Sequence, residues 1–358
     1  MTRNGLRSLL FLGLAAFGLL ARLGLAWKTP GGVELEYYSA VAAAFDRGEG
    51  LYGTSLNNYA PVWAGVVLAV DRASRAAGVS FGGLLRTLLT GVDLLSAAVL
   101  WRIAARRGID PWKPAAIFLA NPVSIWATGF QGQFDSLSLL FLLLAIFATP
   151  AGTDARPAGP ILFLALSIAA KQITALHPIL WFERVRNRAT LLIPYAVVAA
   201  LFLPFLGEWR AIRDNVLFYR GVPRSYGLSE LVLFDERFAR PVAVVCFAAG
   251  LFAAWRLRKE PDLVRACLVL FLVLLFFAPG FGTQYAVWPL TVGALTGGMG
   301  YFLCTATTMA WTLGSHFGLP GSGRWMGQLV WLSVALWLLQ EVRRLVRSRA
   351  LAAGVVRA

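Results

Sequence analysis

Four short stretches set polar or charged side chains into otherwise apolar surroundings. Glu34 and Glu36 form an acidic-x-acidic pair followed by Tyr37 and Tyr38. In an extended segment residues i and i+2 point the same way, so both carboxylates would face one site, as a base or as ligands to a hard cation. In a helix they would lie well apart around the axis. Next, Gly129-Phe-Gln-Gly-Gln-Phe-Asp135 sets Gln131 and Gln133 just ahead of a carboxylate, with two glycines that let a backbone approach a ligand closely. Amides beside a carboxylate are what sugar hydroxyls require, while Asp135 alone equally suits a helix cap. Lys171-Gln172 interrupts an apolar run ahead of His177-Pro178. Lys171 reads either as a side chain snorkelling to an interface or as a cation awaiting a phosphate. Gln284-Tyr285 closes a turn after Pro279-Gly-Phe-Gly-Thr, as cap and interfacial aromatic or as further polar contacts.

The elements that must position these residues are membrane helices. The chain has 358 residues, of which 58% are hydrophobic and 14% charged. A soluble domain carries roughly 25% charged residues, so this composition describes a polytopic membrane protein. It excludes a disulfide scaffold, a disordered chain and a DNA-binding domain. The net charge of +15 is not a nucleic-acid surface, because the basic residues sit in short clusters between apolar runs, as cytoplasmic loops do. Cys246, Cys267 and Cys304 lie within apolar runs and read as small buried hydrophobes, with no zinc spacing.

Apolar spans are expected at 8–27, 82–101, 114–128, 136–149, 189–206, 241–256, 263–279, 285–298, 299–315 and 326–341. Residues 59–77 and 159–182 are interrupted by charges. The run at 8–27 is long enough to span and reads as an uncleaved first helix. With the arginine clusters at 102–107, 183–188, 256–265 and 343–349 placed inside, 28–58 and 207–240 become the long outside loops and 342–358 a basic cytoplasmic tail. Closing that map requires 159–182 to enter and leave on one side, as a broken helix pair with Lys171-Gln172 at its apex, and 59–77 to be re-entrant or to lie along the surface. The expectation is an all-α membrane protein with a single transmembrane domain over 1–358, about 10–12 spanning or re-entrant helices, and both termini in the cytoplasm. Arg86 and Asp93, seven apart in one helix, share a face and read as a pair that stabilises helix contacts.

This ordered set resembles the GT-C superfamily of membrane glycosyltransferases, and within it the catalytic subunit of GPI mannosyltransferase I and prokaryotic polyprenol-phosphate-mannose-dependent relatives. Glu34-Leu-Glu36-Tyr37 matches an acidic-x-acidic-aromatic motif in the first outside loop. Gly50-Leu-Tyr52, Tyr59-Ala-Pro61, Asp93, Asn121-Pro122, Gly132-Gln133-Phe134-Asp135, Lys171 with Pro178, and Gln284-Tyr285 follow in the family's order. The family usually has Asp where this chain has Glu34 and Glu36, so the reacting geometry does not carry over unchanged.

The resemblance implies a GT-C fold and a hexosyltransferase that moves a sugar, by likeness mannose, from a polyprenyl-phosphate donor to a glycolipid or other acceptor at the outer face of the plasma membrane, with inversion. In that scheme Glu36 is the general base and Glu34 orients it, or the two exchange roles. Lys171, Arg220 and Arg224 hold the donor phosphate, and Gln131, Gln133, Asp135, Gln172, Gln284 and Tyr285 contact the sugar or acceptor. A divalent cation, Mg or Mn, on Glu34 and Glu36 is admitted but not required. A small membrane subunit would be a partner, and nucleic acid would not. Two other readings compete: a lipid-sugar flippase or transporter, and a non-catalytic subunit of the same fold.

Overall fold

A computed structural model describes residues 3–150, 158–217, 226–227, 239–280, 282–319 and 323–352. The structure is 80% helical, with no strand among the described residues. Among the described residues, three helical stretches are long and apolar enough to cross a membrane: Gly5–Lys28, Phe81–Arg106 and Arg188–Leu217. Asp135–Ala148, Ala158–Ala170, Pro241–Leu257 and Leu263–Phe277 are shorter apolar helices. Many large apolar side chains remain exposed, among them Leu9, Phe17 and Leu20 in the first helix and Leu329, Leu332 and Leu336 in the last. Water would not tolerate such faces, whereas lipid does. The chain divides into two compact units, Met1–Tyr219 and Arg220–Ala358.

The first unit opens with α1 (Arg3–Lys28), α2 (Val33–Asp46), α3 (Pro61–Ala77) and α4 (Phe81–Arg106). Helices α2 and α3 run side by side in the same sense, since Tyr38 meets Trp63 near their starts and Arg75 pairs with Asp46 near their ends. In α3, Trp63, Val67, Val70 and Ser74 are buried while Arg72 and Arg75 are exposed. One apolar stripe with an opposed charged face is what a helix lying along a surface requires. Next come α5 (Trp112–Leu119), α6 (Pro122–Ile125), a wide π turn at Trp126–Gln131, α7 (Asp135–Ala148) and α8 (Ala158–Ala170). A helical run from Arg188 to Leu217 follows, containing α9 (Ile193–Phe202) and α10 (Trp209–Ile212).

Hydrogen bonds fix which ends of these helices meet. Helix α8 stops at Ala170, and two 3-10 turns, Gln172–Thr174 and His177–Trp181, carry the chain back. Trp181 Nε1 donates to Thr149 Oγ1 at 2.8 Å, beyond the far end of α7. The segment 159–182 is therefore a broken pair that returns to its starting end, with Lys171 at the break. Arg106 at the end of α4 donates to Phe147 O, so the arginine clusters at 102–107 and 183–188 share that same end. Asp135 and Lys171 lie at the opposite end, about 20 Å away along a helix of this length.

Charges inside the unit act as staples. Arg22 Nε lies 2.8 Å from Asp93 Oδ2, with both side chains buried. The same guanidinium donates to Ser124 Oγ, Leu119 O and Gly18 O, joining α1, α4, α5 and α6. Arg86 is not the partner of Asp93. It donates instead to Ala26 O, Leu25 O, Thr29 O and Phe130 O, which caps the end of α1 and the π turn. The shared face of Arg86 and Asp93 is real, but each reaches a different neighbour.

The second unit holds α11 (Ala239–Leu257), α12 (Leu263–Phe277), α13 (Val287–Gly293), α14 (Met299–His316) and α15 (Arg324–Ala352). Buried Glu341 pairs with Arg344 at 2.6 Å and Arg265 at 3.5 Å, and Arg349 pairs with Glu260. The basic clusters at 256–265 and 343–349 thus occupy one end of this unit. Trp331 Nε1, bonded to Phe276 O, and Tyr226, stacked on Trp311, lie at the other.

Candidate functional site

The site is built where the break in α8 meets the start of α7. Asn121 caps α6 by accepting from Val123 N and Ser124 N, and Pro122 sits at the first helical position, where its missing N–H costs nothing. The π turn then ends at Gly132, whose φ of +71° is left-handed. A side chain there would be strained, and its Cβ would lie 2.6 Å from a methyl of Leu35. This tight exit delivers Gln133, Phe134 and Asp135 in sequence to the head of α7, all three buried.

Lys171 follows the last residue of α8 in an extended conformation, φ −156° and ψ 131°. Its Nζ lies 2.6 Å from Asp135 Oδ2, and the two side chains are only 7% and 2% exposed. The ammonium also stands 4.7 Å from the Phe134 ring centre and 5.4 Å from that of Tyr59. Both are cation–π distances. Ser138 Oγ donates to Ser167 O, and Ser167 Oγ donates to Ser138 O, which locks α7 to α8 just below the pair.

Glu34 enters from α2. Gly32 N donates to Phe130 O at 3.1 Å, bringing the start of α2 against the π turn. Glu34 is half-buried, and burial raises its carboxyl above the ordinary glutamate value. Hydrogen bonds from its own backbone and from the Gln133 side chain, together with the Lys171 charge, pull it partly back, and Asp135 pushes it up. Tyr38, one turn along the same face, is buried, and its hydroxyl is pushed well above its usual range, first by burial and then by Tyr59, Glu34 and Asp135. The rings of Tyr38, Trp63, Phe134 and Tyr59 pack around one another, with Trp63 stacked on Phe134 at 3.9 Å.

Glu36 lies elsewhere. The segment is helical, so Glu36 is turned away from Glu34 and is exposed. The extended arrangement that would aim both carboxylates at one point is absent. Among the described residues no group of three or more His, Cys, Asp or Glu is placed to hold a metal ion.

The remaining expected residues divide. Gln131 is half-buried on the π turn, with its Cα against Gly32. Gln172 is exposed and donates to Asn58 O at 3.2 Å, holding the 47–60 segment in place. Glu208 accepts from Tyr52 N at 2.6 Å and Leu51 N at 3.3 Å, latching the same segment from the other side. Gln284 and Tyr285 belong to the second unit, where Tyr285 packs on Trp288. Arg220 and Arg224 lie outside the described residues. Sequence reasoning did not single out Tyr38, Trp63 and Tyr59 as site residues. The signal was the i, i+4 spacing of Glu34 and Tyr38, which in a helix places the tyrosine beside the carboxylate.

In chemical terms the cluster offers a carboxylate held toward its neutral form, a fixed buried cation, amide groups and an aromatic wall. No protein-family model matches the chain, and no curated protein matches it.

Proposed function

We propose that the protein is a membrane glycosyltransferase of GT-C type that transfers a hexose from a polyprenyl-phosphate donor to a lipid-linked or other acceptor at the non-cytoplasmic face. The observation that carries this reading is the joining of Glu34, Gln133, Asp135 and Lys171 at the end of the first unit opposite its arginine clusters. By the positive-inside rule those clusters mark the cytoplasmic side, so the cluster belongs on the outward side.

The reaction needs a carboxylate to take the acceptor hydroxyl proton and positive charge to stabilise the leaving phosphate. Glu34 suits the first role better than Glu36, because it faces the cluster and its burial raises its proton affinity. Lys171, held by Asp135 and by two aromatic faces, supplies positive charge as a fixed point. Gln133 orients Glu34.

The test is transfer of a labelled hexose from polyprenyl-phosphate donors by the purified protein in vesicles. Activity is expected in the parent chain and in Glu36→Gln, with loss in Glu34→Gln. Full activity in Glu34→Gln would overturn the assignment. Net movement of the donor across the bilayer without hydrolysis or transfer would favour the flippase reading instead.

A further inference from the structure

A cavity of about 520 Å³ lies at the end of the first unit that carries the arginine clusters, away from the candidate site. Its lining includes Phe182, Glu183, Val185, Arg186, Asn187 and Arg188, where the turn that returns from Lys171 hands over to the helical run Arg188–Leu217. Small-molecule sites occupy roughly 300–1,000 Å³, so the volume suits a ligand. Two arginines line it against one carboxylate, which leaves the lining net positive. Arg188 lies 3.4 Å from Glu183 and 4.4 Å from the Phe182 ring centre, an exposed ion pair and a cation–π contact that fix this guanidinium on the cavity wall. Asn187 Oδ1 already accepts from Ala189 N at 3.1 Å, so the donors on offer are arginine side chains and not the start of the helix.

Charge and neighbourhood together select the ligand. Guanidinium groups bind phosphate through paired N–H donors. Just past the cavity the same helical run turns apolar and outward: Leu192 is 67%, Ile193 46% and Val197 39% exposed. The run is long and apolar enough to cross a membrane, so these side chains meet hydrocarbon. A phosphate in the cavity with acyl chains along Leu192, Ile193 and Val197 describes one molecule, a phospholipid. A free phosphate would use the arginines and leave the apolar track idle. A headgroup carrying an ammonium would bring positive charge to a positive lining whose carboxylate is already paired with Arg188. Sidedness alone does not account for the arrangement, because positive charge near the membrane sets orientation without any concavity.

We infer that the 182–189 cavity is a binding site for an anionic phospholipid, with its phosphate on Arg186 and Arg188 and its acyl chains along Leu192, Ile193 and Val197. Basic pockets at the cytoplasmic side of membrane helices take such headgroups. The site stands at the opposite end of the unit from Glu34, Asp135 and Lys171, and it does not depend on the transferase reading.

The probe is phosphatidylglycerol, titrated into the full-length protein in a neutral detergent, with phosphatidylcholine of the same chains and inorganic phosphate as separate arms. A ligand that binds only the folded state raises the melting temperature. Phosphatidylglycerol should raise it saturably, and the other two far less at matched concentration. Arg186→Gln with Arg188→Gln should bind phosphatidylglycerol about tenfold more weakly, the loss of a charge-assisted contact. Without lipid this variant should melt close to the parent, because an exposed ion pair contributes little. Arg186→Gln alone, which leaves the Arg188–Glu183 pair intact, should show part of the loss. The control, Arg102→Gln with Arg107→Gln, removes the same charge from two exposed arginines of the neighbouring cluster and should leave affinity unchanged. Three outcomes overturn the site: equal stabilisation by the two phospholipids, equal loss in both double variants, or inorganic phosphate protecting as well as phosphatidylglycerol. None of these readings uses hexose transfer, so failure of this site leaves the transferase reading standing, and an inactive transferase leaves this site standing.

Discussion

Lys171 Nζ lies 2.6 Å from Asp135 Oδ2, joining the break in α8 to the first residue of α7. Neither element explains the other locally. Helix α8 ends in mid-run at a charged residue, and α7 begins on a buried carboxylate. Each is accounted for by its partner, because a buried charge is tolerable only when paired. The pair also settles what kind of break this is. Lys171 does not reach for an interface along its own stem; it is held inside by Asp135 and two rings.

Removing either charge should therefore cost far more than removing both. Lys171→Met or Asp135→Leu alone leaves an uncompensated buried charge, a loss of about 3–5 kcal/mol. The double variant should recover much of that. A double-mutant cycle on unfolding in detergent measures the coupling, and additive single effects would refute the buried pair. Both single variants should also lose transfer activity, which the double variant should not regain.

Glu34 leads to opposite predictions for activity and stability. Its burial favours the neutral form. As a base it must be ionised, so activity should fall on acidification through a midpoint above the ordinary glutamate value. For stability the sign is reversed. A group whose folded-state pKa is raised contributes its stability below the unfolded value and loses it as pH rises through the folded one. Glu34→Gln should thus match the parent in melting temperature at acid pH and exceed it at neutral pH. A neutral-pH melting temperature below the parent's would show that the carboxylate supports the fold instead of opposing it.

Much of this architecture was legible in the residues. The long apolar runs signalled most of the apolar helices, and placing the arginine clusters at 102–107 and 183–188 on one side required the return of 159–182, but α2 falls inside 28–58, whose polar residues signal a loop. Partner choice was not legible. Arg22 and Asp93 are 71 residues apart, and nothing in spacing distinguishes Arg22 from Arg86, which does share a helix face with Asp93. Nor was the conformation of Glu34-Leu-Glu36. Gly32 offers no capping side chain, so neither a helix start nor an extended segment is signalled. The helix forms because Leu35, Tyr38, Val41 and Ala42 bury one face against the rest of the unit, a tertiary effect that local sequence does not carry.

Arg22 should be irreplaceable even by lysine. Its guanidinium serves Asp93, Ser124 and the carbonyls of Leu119 and Gly18 together, a fork that an ammonium cannot reproduce. Arg22→Met should destabilise by about 3–5 kcal/mol, with Asp93 left charged and alone. Arg22→Lys should recover only part of this. Gly18→Ala should also destabilise, since its Cβ would lie 2.2 Å from Leu119 O. Denaturant unfolding followed by near-UV circular dichroism checks all three variants. Wild-type stability in Arg22→Lys would mean that charge alone, and not the fork, holds the helices.

The sidedness of the first unit is open to direct labelling. Glu49 is exposed in the segment that Glu208 and Gln172 hold at the candidate site, whereas Arg186 is exposed beside the turn that returns from Lys171. With Cys246, Cys267 and Cys304 changed to alanine, a single cysteine at Glu49 should react with a membrane-impermeant maleimide on intact cells. One at Arg186 should react only after permeabilisation. By the positive-inside rule the arginine clusters would set this orientation. Adding two or three lysines to the 47–50 segment should therefore weaken the labelling contrast, whereas adding glutamates there should leave it unchanged. Labelling of Arg186→Cys on intact cells would invert the unit and place Glu34, Asp135 and Lys171 in the cytoplasm, where the proposed outward-facing transfer could not take place.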